Sequence, residues 1–287
     1  MRREAATVAK LIDDATTRIA AALGLETREA RLEARALAAF SWHVAPAWLI
    51  AHDTDLPTGA QIATFDALLA RRLAGQPIAY LTGTREFYGR PFQVSPDVLI
   101  PRPDTELLVE RALARIPPDR AMDVLDLGTG SGCIAITLAL ERPLARVTAV
   151  DRSVAALAVA RRNADKLNAH VEFLTSDWFA ALSGRNFDLI VSNPPYIAAA
   201  DPHLARGDVR FEPLAALAAG LDGLDDLRQL TAAACAHLKP GGALLLEHGY
   251  DQADTVQALL RKHGIHHPES WADLSGIRRV SGGELSK

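Results

Sequence analysis

Apolar positions follow two different rhythms along this chain. Over residues 1–75 they recur at helical spacing. Val8, Leu11, Ile12, Ala15 and Ile19 define one face, Leu32, Ala36, Ala39 and Phe40 a second, and Ile62, Phe65, Leu69 and Leu73 a third. Thr58 and Gln61 stand at capping-box spacing just ahead of the third run, which predicts a helix start there. From residue 121 onward the rhythm alternates. Short apolar runs at 124–127, 147–150, 171–174, 189–191 and 243–246 are separated by helical stretches at 134–140, 154–167 and 224–237. Strands alternating with helices of that length predict βαβ units, and hence an α/β domain with a parallel sheet covered on both faces.

The stretch between the two rhythms has its own character. Gly83, Gly89, Pro91, Pro96, Pro101 and Pro103 punctuate β-prone segments such as 92–94. A β-hairpin linker over 76–103 is expected, leading into a helix near Pro103, where proline suits a first helical turn. The expected organisation is a helical domain over 1–75, the linker over 76–103 and a catalytic α/β domain over 104–287.

The chemistry concentrates where strands end. The first strand runs into Asp126-Leu127-Gly128-Thr129-Gly130-Ser131-Gly132. Glycines at such a turn let the backbone approach a ligand closely. The dinucleotide pattern would require a third glycine at 133, where Cys133 stands, so the spacing favours another nucleoside cofactor. The second strand ends in Asp151, placed to accept hydrogen bonds from two ribose hydroxyls. After the third strand, Ser176-Asp177-Trp178 offers an acid and an aromatic ring for an adenine.

The fourth strand ends in Asn193-Pro194-Pro195-Tyr196. Ligands of open α/β sheets sit at the carboxyl ends of the strands near the switch point, where the first and fourth strands would be neighbours. A planar –NH2 group has two N–H donors and a lone pair delocalised into its π system. The side-chain oxygen of Asn193 and the carbonyl of Pro194 can each accept one of those hydrogens, aim the nitrogen at a methyl donor and stabilise its growing positive charge. Tyr196 offers a flat face to the planar acceptor. The pattern points to nitrogen methylation and leaves the acceptor open, since exocyclic amines of nucleic-acid bases have the same planar geometry.

Charge narrows the choice. The 31 Lys+Arg against 35 Asp+Glu give a net charge of −4, and residues 1–75 carry nine basic and nine acidic side chains. Sequence-independent nucleic-acid binding draws on a positive field, so direct contact with DNA or RNA is not expected. Neutral residues 1–75 suit either structural packing or recognition of a protein. A composition of 49 % hydrophobic and 23 % charged residues fits a folded soluble chain. Cys133 and Cys235 match no metal or redox spacing, and no apolar run reaches membrane-helix length. A cytoplasmic protein without metal or membrane is expected. His263, His266 and His267 lack an accompanying acid or cysteine and read as surface residues.

Together these features resemble a family, the release-factor glutamine N(5)-methyltransferases of the HemK/PrmC type. The resemblance spans nearly the whole chain. It includes residues 77–83, Arg85-Glu86-Phe87, 99–106, the glycine turn, Ser176-Asp177-Trp178, Asn193-Pro194-Pro195-Tyr196, 207–213 and 244–249. It implies a Rossmann-like, seven-stranded S-adenosylmethionine methyltransferase domain, a small helical N-terminal domain for substrate recognition, and S-adenosylhomocysteine as product. The partners would be class 1 peptide chain release factors, methylated by a monomer at the glutamine of their Gly-Gly-Gln loop. Carried over by position, Gly128, Thr129, Gly130, Ser131, Gly132, Asp151, Trp178 and Asn193 would bind the cofactor. Asn193, Pro194, Pro195 and Tyr196 would bind the glutamine, with Asn193 and Pro194 catalytic. The chain departs from the family at Ser281-Gly282-Gly283, which replaces a Gly-Arg ending and leaves the length of the last strand open. Arg102 would either anchor domains or meet the substrate loop, and His248 is a neighbour of the presumed cleft.

Overall fold

The computed structural model describes residues 6–286; residues 1–5, at the start of the expected helical domain, and residue 287 lie outside the described residues. The chain divides into two compact units, one running to Thr84 and including Ala205–Phe211, the other made of Arg85–Leu204 and Glu212–Lys287.

The first unit is helical: α1 (Val8–Leu23), α2 (Thr27–Trp42), α3 (Pro46–Ala51), α4 (Gly59–Leu73) and α5 (Ile78–Thr82). The Thr7 hydroxyl accepts from Lys10 N at 3.3 Å at the start of α1, and Gly24 ends that helix in the left-handed region. The capping box of Thr58 and Gln61 forms as its spacing predicts, both halves being present. The expected α2 exists, but its buried face is turned from the expected one. Ala30, Ala34, Leu37, Ala38 and Trp42 are buried, as is Ala39 of the expected face, whereas Leu32 and Phe40 are exposed and Ala36 faces outward. The reason is side-chain size: alanines let α1 approach α2 closely, so small residues outweigh larger ones in choosing the face. Within this unit Arg72, only 3 % exposed, donates from Nε and Nη2 to the two carboxylate oxygens of Glu33 (2.7 and 2.9 Å) and from Nη1 to Asp208 (2.9 Å). Segment 205–211 is thus held through Asp208 to an arginine that Glu33 fixes in a bidentate pair.

The second unit opens with the hairpin β1 (Thr84–Phe87) and β2 (Arg90–Gln93). Tyr88 and Gly89 both have positive φ (51° and 73°), the geometry of a two-residue turn matched to strand twist. Phe87 and Phe92 are buried in the core of this unit. After a single turn at Pro103–Thr105 come α6 (Glu106–Leu113), β3 (Asp123–Leu127), α7 (Cys133–Glu141), β4 (Arg146–Asp151), α8 (Val154–Leu167), β5 (Val171–Thr175) and β6 (Phe187–Ser192). Then follow α9 (Asp225–Ala234), β7 (Leu238–Glu247), α10 (Ala253–Lys262), β8 (Ile265–Ala272) and β9 (Arg278–Leu285).

The seven strands run in the order β5-β4-β3-β6-β7-β9-β8. The first five are parallel and β9 is antiparallel to both its neighbours. Side chains alternate between two cores. Val124, Leu189, Val191 and Leu245 enter one; Leu125, Leu127, Ile190, Leu244 and Leu246 enter the other. This is the seven-stranded methyltransferase arrangement that the resemblance implied. The last strand continues through Ser281-Gly282-Gly283. A Cβ on Gly282 would lie 2.3 Å from the Leu244 carbonyl oxygen and one on Gly283 2.6 Å from that of His266, so both neighbouring strands approach closer than a side chain allows.

Candidate active site

The strand order reverses between β3 and β6, where Leu127 pairs with Ser192. The chain leaves both strands there, and the two expected motifs start side by side. One cavity opens at this point, lined by Gly128, Gly130, Asp151, Trp178, Asn193 and Pro195 among the residues expected from the sequence. Thr129, Ser131 and Pro194 are buried and do not line it, and neither do Gly132 and Tyr196.

The glycines of the turn divide their work. Gly128, Gly130 and Gly132 all have positive φ (71°, 56° and 81°). A Cβ on Gly132 would fall 2.8 Å from Ile136 Cδ1 and 3.1 Å from Ala160 Cβ, so this glycine serves helix packing. At Gly128 the obstacle would be the Trp178 ring at 3.2 Å, while Gly130 faces open space in the cavity. Asp126, fully buried beneath the turn, accepts from the Thr129 hydroxyl at 2.6 Å. Burial pushes its carboxyl up to about 7. Cys133 is buried too, and the same effect pushes its thiol up to about 12, which removes it as a nucleophile at neutral pH.

Asp151 is oriented by two backbone donors. Gly130 N donates to Oδ2 (2.9 Å) and Ser153 N to Oδ1 (2.8 Å). Each carboxylate oxygen retains a lone pair. Trp178 has the left-handed φ of 46°, uncommon for a bulky residue. The Ser176 hydroxyl holds that conformation, donating to the Trp178 carbonyl (2.7 Å) while accepting from Ala181 N (3.0 Å). Asp226 lines the same cavity as Trp178, and burial raises its carboxyl above the usual range.

On the acceptor side, Asn193 donates from Nδ2 to Thr105 Oγ1 at 3.1 Å. The Tyr196 hydroxyl points to Glu247 Oε1 at 3.4 Å, and the Tyr196 carbonyl accepts from Gln252 Nε2 at 3.0 Å. Burial, reinforced by Glu247, raises the Tyr196 phenol above its ordinary value, so it stays protonated. Glu247 is itself buried at the end of β7, its carboxyl pushed up to about 7 by desolvation. Gly223 completes the turn's surroundings: a Cβ there would meet the Tyr196 carbonyl oxygen at 2.3 Å.

Several of these participants carried no sequence signal. Asp226 and Gln252 sit at helix starts far along the chain, and Thr105 and Glu247 lie within family-like stretches without a chemical pattern of their own. Asn163, fully buried on α8, accepts from Gln93 N (2.6 Å) and donates to the carbonyls of Gln93 (3.0 Å) and Ser131 (2.9 Å). It ties the hairpin to the glycine turn. Arg102 pairs with Glu212, which also accepts from Ile100 N at 3.0 Å. His248 is buried, bonded to the Gly249 carbonyl (2.9 Å) and the Ser281 hydroxyl (2.7 Å), and its imidazole is kept below its usual range by burial. That pairing suits a neutral ring that organises the β7–β9 end. The three histidines near 265 form no metal-type cluster among the described residues.

Known proteins give the same picture. The family described as the PrmC N-terminal domain matches residues 10–83, and the methyltransferase small domain matches residues 103–207. The release factor glutamine methyltransferase of Bordetella pertussis is 55 % identical over 256 residues, covering 89 % of this chain and 95 % of the relative. That of Escherichia coli is 51 % identical over 227 residues, covering 78 % and 81 %. Among solved structures, a methyltransferase from Pyrococcus furiosus matches with a TM-score of 0.55 at 19 % identity, covering 76 % of this chain and 98 % of its own. A 16S rRNA guanine methyltransferase from Thermus thermophilus matches with a TM-score of 0.54 at 23 % identity, covering 70 % and 49 %. At those identities the two structures speak for the fold alone. The identity to the curated relatives, sustained through both units, decides the family: the chain belongs to the release factor glutamine methyltransferases.

Proposed function

We propose that this chain transfers a methyl group from S-adenosylmethionine to the side-chain amide nitrogen of the glutamine in the Gly-Gly-Gln loop of class 1 release factors. The observation that carries this reading is the meeting of Asn193 and Asp151 at one cavity on the sheet's switch point. One residue type suits an amide, the other a ribose.

The residues present fit the cofactor. Asp151 keeps a lone pair on each oxygen for the ribose hydroxyls, Gly130 leaves room for the cofactor against the backbone, and Trp178 supplies a flat wall with Asp226 beside it. When bound, S-adenosylmethionine supplies a methyl group made electrophilic by a positively charged sulfur. The chain's part is to hold the acceptor. The Asn193 side-chain oxygen and the Pro194 carbonyl would each take one N–H of the glutamine amide, fixing the nitrogen and stabilising positive charge on it. Tyr196, held protonated and close to Glu247, would pack on the amide plane. No ionised base is needed, because the proton becomes acidic only as the methyl arrives.

A nucleic-acid base as acceptor is not favoured. The net charge of −4 offers no general field for phosphates. No helix among the described residues is long and apolar enough to cross a membrane. We place the protein in the cytoplasm, where release factors act, as a monomer without metal. Incubation with radiolabelled S-adenosylmethionine and, separately, release factor, DNA or RNA tests the reading. Label is expected in release factor alone, and label in nucleic acid alone would overturn it.

A further inference from the structure

Two segments far apart in sequence wall the same cavity. Asp97, Val98 and Leu99 line it from the stretch after the hairpin, and Pro213, Ala215 and Ala216 from the loop between β6 and α9. Val98 and its neighbour Ile100 are buried, which seats the first segment. The second bends through a single turn at Leu214–Ala216, closed by Ala216 N donating to the Pro213 carbonyl at 2.8 Å.

One side chain fastens the two. Glu212 stands immediately before Pro213 and is buried. Its Oε2 accepts from the Ile100 backbone N at 3.0 Å, and its Oε1 accepts from Arg102 Nη2. A backbone N–H and a guanidinium can only donate, so both carboxylate oxygens act as acceptors. The Ile100 contact lies one residue from the cavity wall on either side, beside Leu99 and beside Pro213. Arg152, which follows Asp151 in the cavity, adds a second hold by donating from Nη2 to the Ala215 carbonyl at 3.3 Å. A carboxylate is costly to bury and persists where it is paired and hydrogen-bonded. Neither Glu212 nor Arg102 lines the cavity, so any effect on a bound molecule passes through the walls they join.

We propose that Glu212 is a positioning residue for the cofactor: fastened to the Ile100 amide and to Arg102, it holds the walls at 97–99 and 213–216 at the spacing that encloses S-adenosylmethionine. The inference rests on the reading that this cavity binds S-adenosylmethionine. It also gives Arg102 its task, which is to compensate the buried carboxylate from a neighbouring turn of chain. Loosening a wall acts mainly on the escape of a bound ligand, so the dissociation rate is the quantity to read.

The test is the dissociation rate of S-adenosylhomocysteine from the full-length protein, followed by tryptophan fluorescence in stopped flow, since Trp178 lines the cavity. Dissociation starts from the folded, loaded protein, so a variant that is merely less stable leaves it unchanged. Glu212→Gln keeps the shape but turns an –NH2 toward one of the two donors. It is expected to speed dissociation about 10-fold, the scale of one lost hydrogen bond. Arg102→Gln should speed it as well, and serves if Glu212→Gln does not fold. Arg102→Lys, which keeps a charged donor, should recover most of the slow rate. Because the two residues act as one unit, combining Glu212→Gln with Arg102→Gln should add little to the larger single effect. Wild-type dissociation in Glu212→Gln, or in Arg102→Gln where the first does not fold, overturns the positioning role. With a weakened Asp151→Ala alongside, that result leaves the cavity reading standing. Single effects that add in full overturn the role too. Unchanged affinity in Asp151→Ala removes the underlying reading.

Discussion

The Ser192 hydroxyl donates to the Leu127 carbonyl at 2.7 Å, joining the last residues of two neighbouring parallel strands. Ser192 is fully buried, and beyond this bond the two chains diverge into the glycine turn and the Asn-Pro-Pro-Tyr turn. The hydroxyl bridges the backbones where the ladder between them ends. Ser192→Ala should therefore cost about 1–2 kcal/mol of unfolding free energy, as loss of a buried hydrogen bond does. It should also slow transfer by loosening the spacing between methyl donor and acceptor. Denaturant unfolding and single-turnover rates check both parts, and an unchanged rate would remove the bond from the positioning of the two turns.

Asp151 is held by the Gly130 and Ser153 amides with its free lone pairs at the cavity. Asp151→Ala should weaken S-adenosylmethionine binding by roughly 1.5–3 kcal/mol, the range for hydrogen bonds to a charged group. Titration calorimetry reads this directly. Unaltered affinity would exclude Asp151 from ribose binding.

Much of this architecture is legible in the sequence because its signals are local. The runs at 124–127, 147–150, 171–174 and 189–191 lie within β3, β4, β5 and β6, and the stretch 154–167 coincides with α8. The motifs at strand ends follow from the same alternation, since topology carries them to one edge of the sheet. Less is legible where packing decides. The face of α2 is chosen by alanines that let helices approach, and a reading that weights large apolar residues selects Leu32 and Phe40 instead. The strand β8 has Pro268 and alternating polar residues, as an edge strand can, and Ile265 is its one buried residue. Its neighbour α10 does carry a signal, Ala253, Val256 and Leu260 at helical spacing. The partners that orient the site, Thr105, Asp226, Glu247 and Gln252, are named by three-dimensional proximity alone, and each is an ordinary residue in its own segment.

Two buried carboxyls set a pH dependence. Burial holds Asp126 and Glu247 up to about 7 each, above the unfolded values of about 3.9 and 4.3. The folded protein therefore keeps protons that the unfolded chain loses, so stability declines as pH rises from about 4 to 7. Asp126→Asn cannot ionise. Its stability relative to wild type should improve between pH 5 and pH 8 by on the order of 2 kcal/mol, the scale of a buried group lacking full compensation. The Glu247 part of the slope should remain. Urea unfolding across that range tests this, and parallel curves for the two proteins would contradict it.

The ion cluster of the helical unit gives a further expectation. Arg72→Ala leaves Glu33, whose side chain is 11 % exposed, without its bidentate partner, and releases Asp208 from the segment 205–211. Removing one member of a buried pair costs about 3–5 kcal/mol. Amide hydrogen exchange should speed up in α2, α4 and residues 205–211 together. Faster exchange in the helices without any change at 205–211 would mean that Asp208 does not depend on Arg72.

The atom that receives the methyl group decides the function. A class 1 release factor incubated with this protein and S-adenosylmethionine, digested and sequenced by tandem mass spectrometry, should gain one methyl group. It should lie on the side-chain amide nitrogen of the glutamine in the Gly-Gly-Gln loop, and Asn193→Ala should slow its appearance about 10²–10³-fold. A release factor left unmodified at that glutamine, or a methyl group found on another residue, would contradict the account.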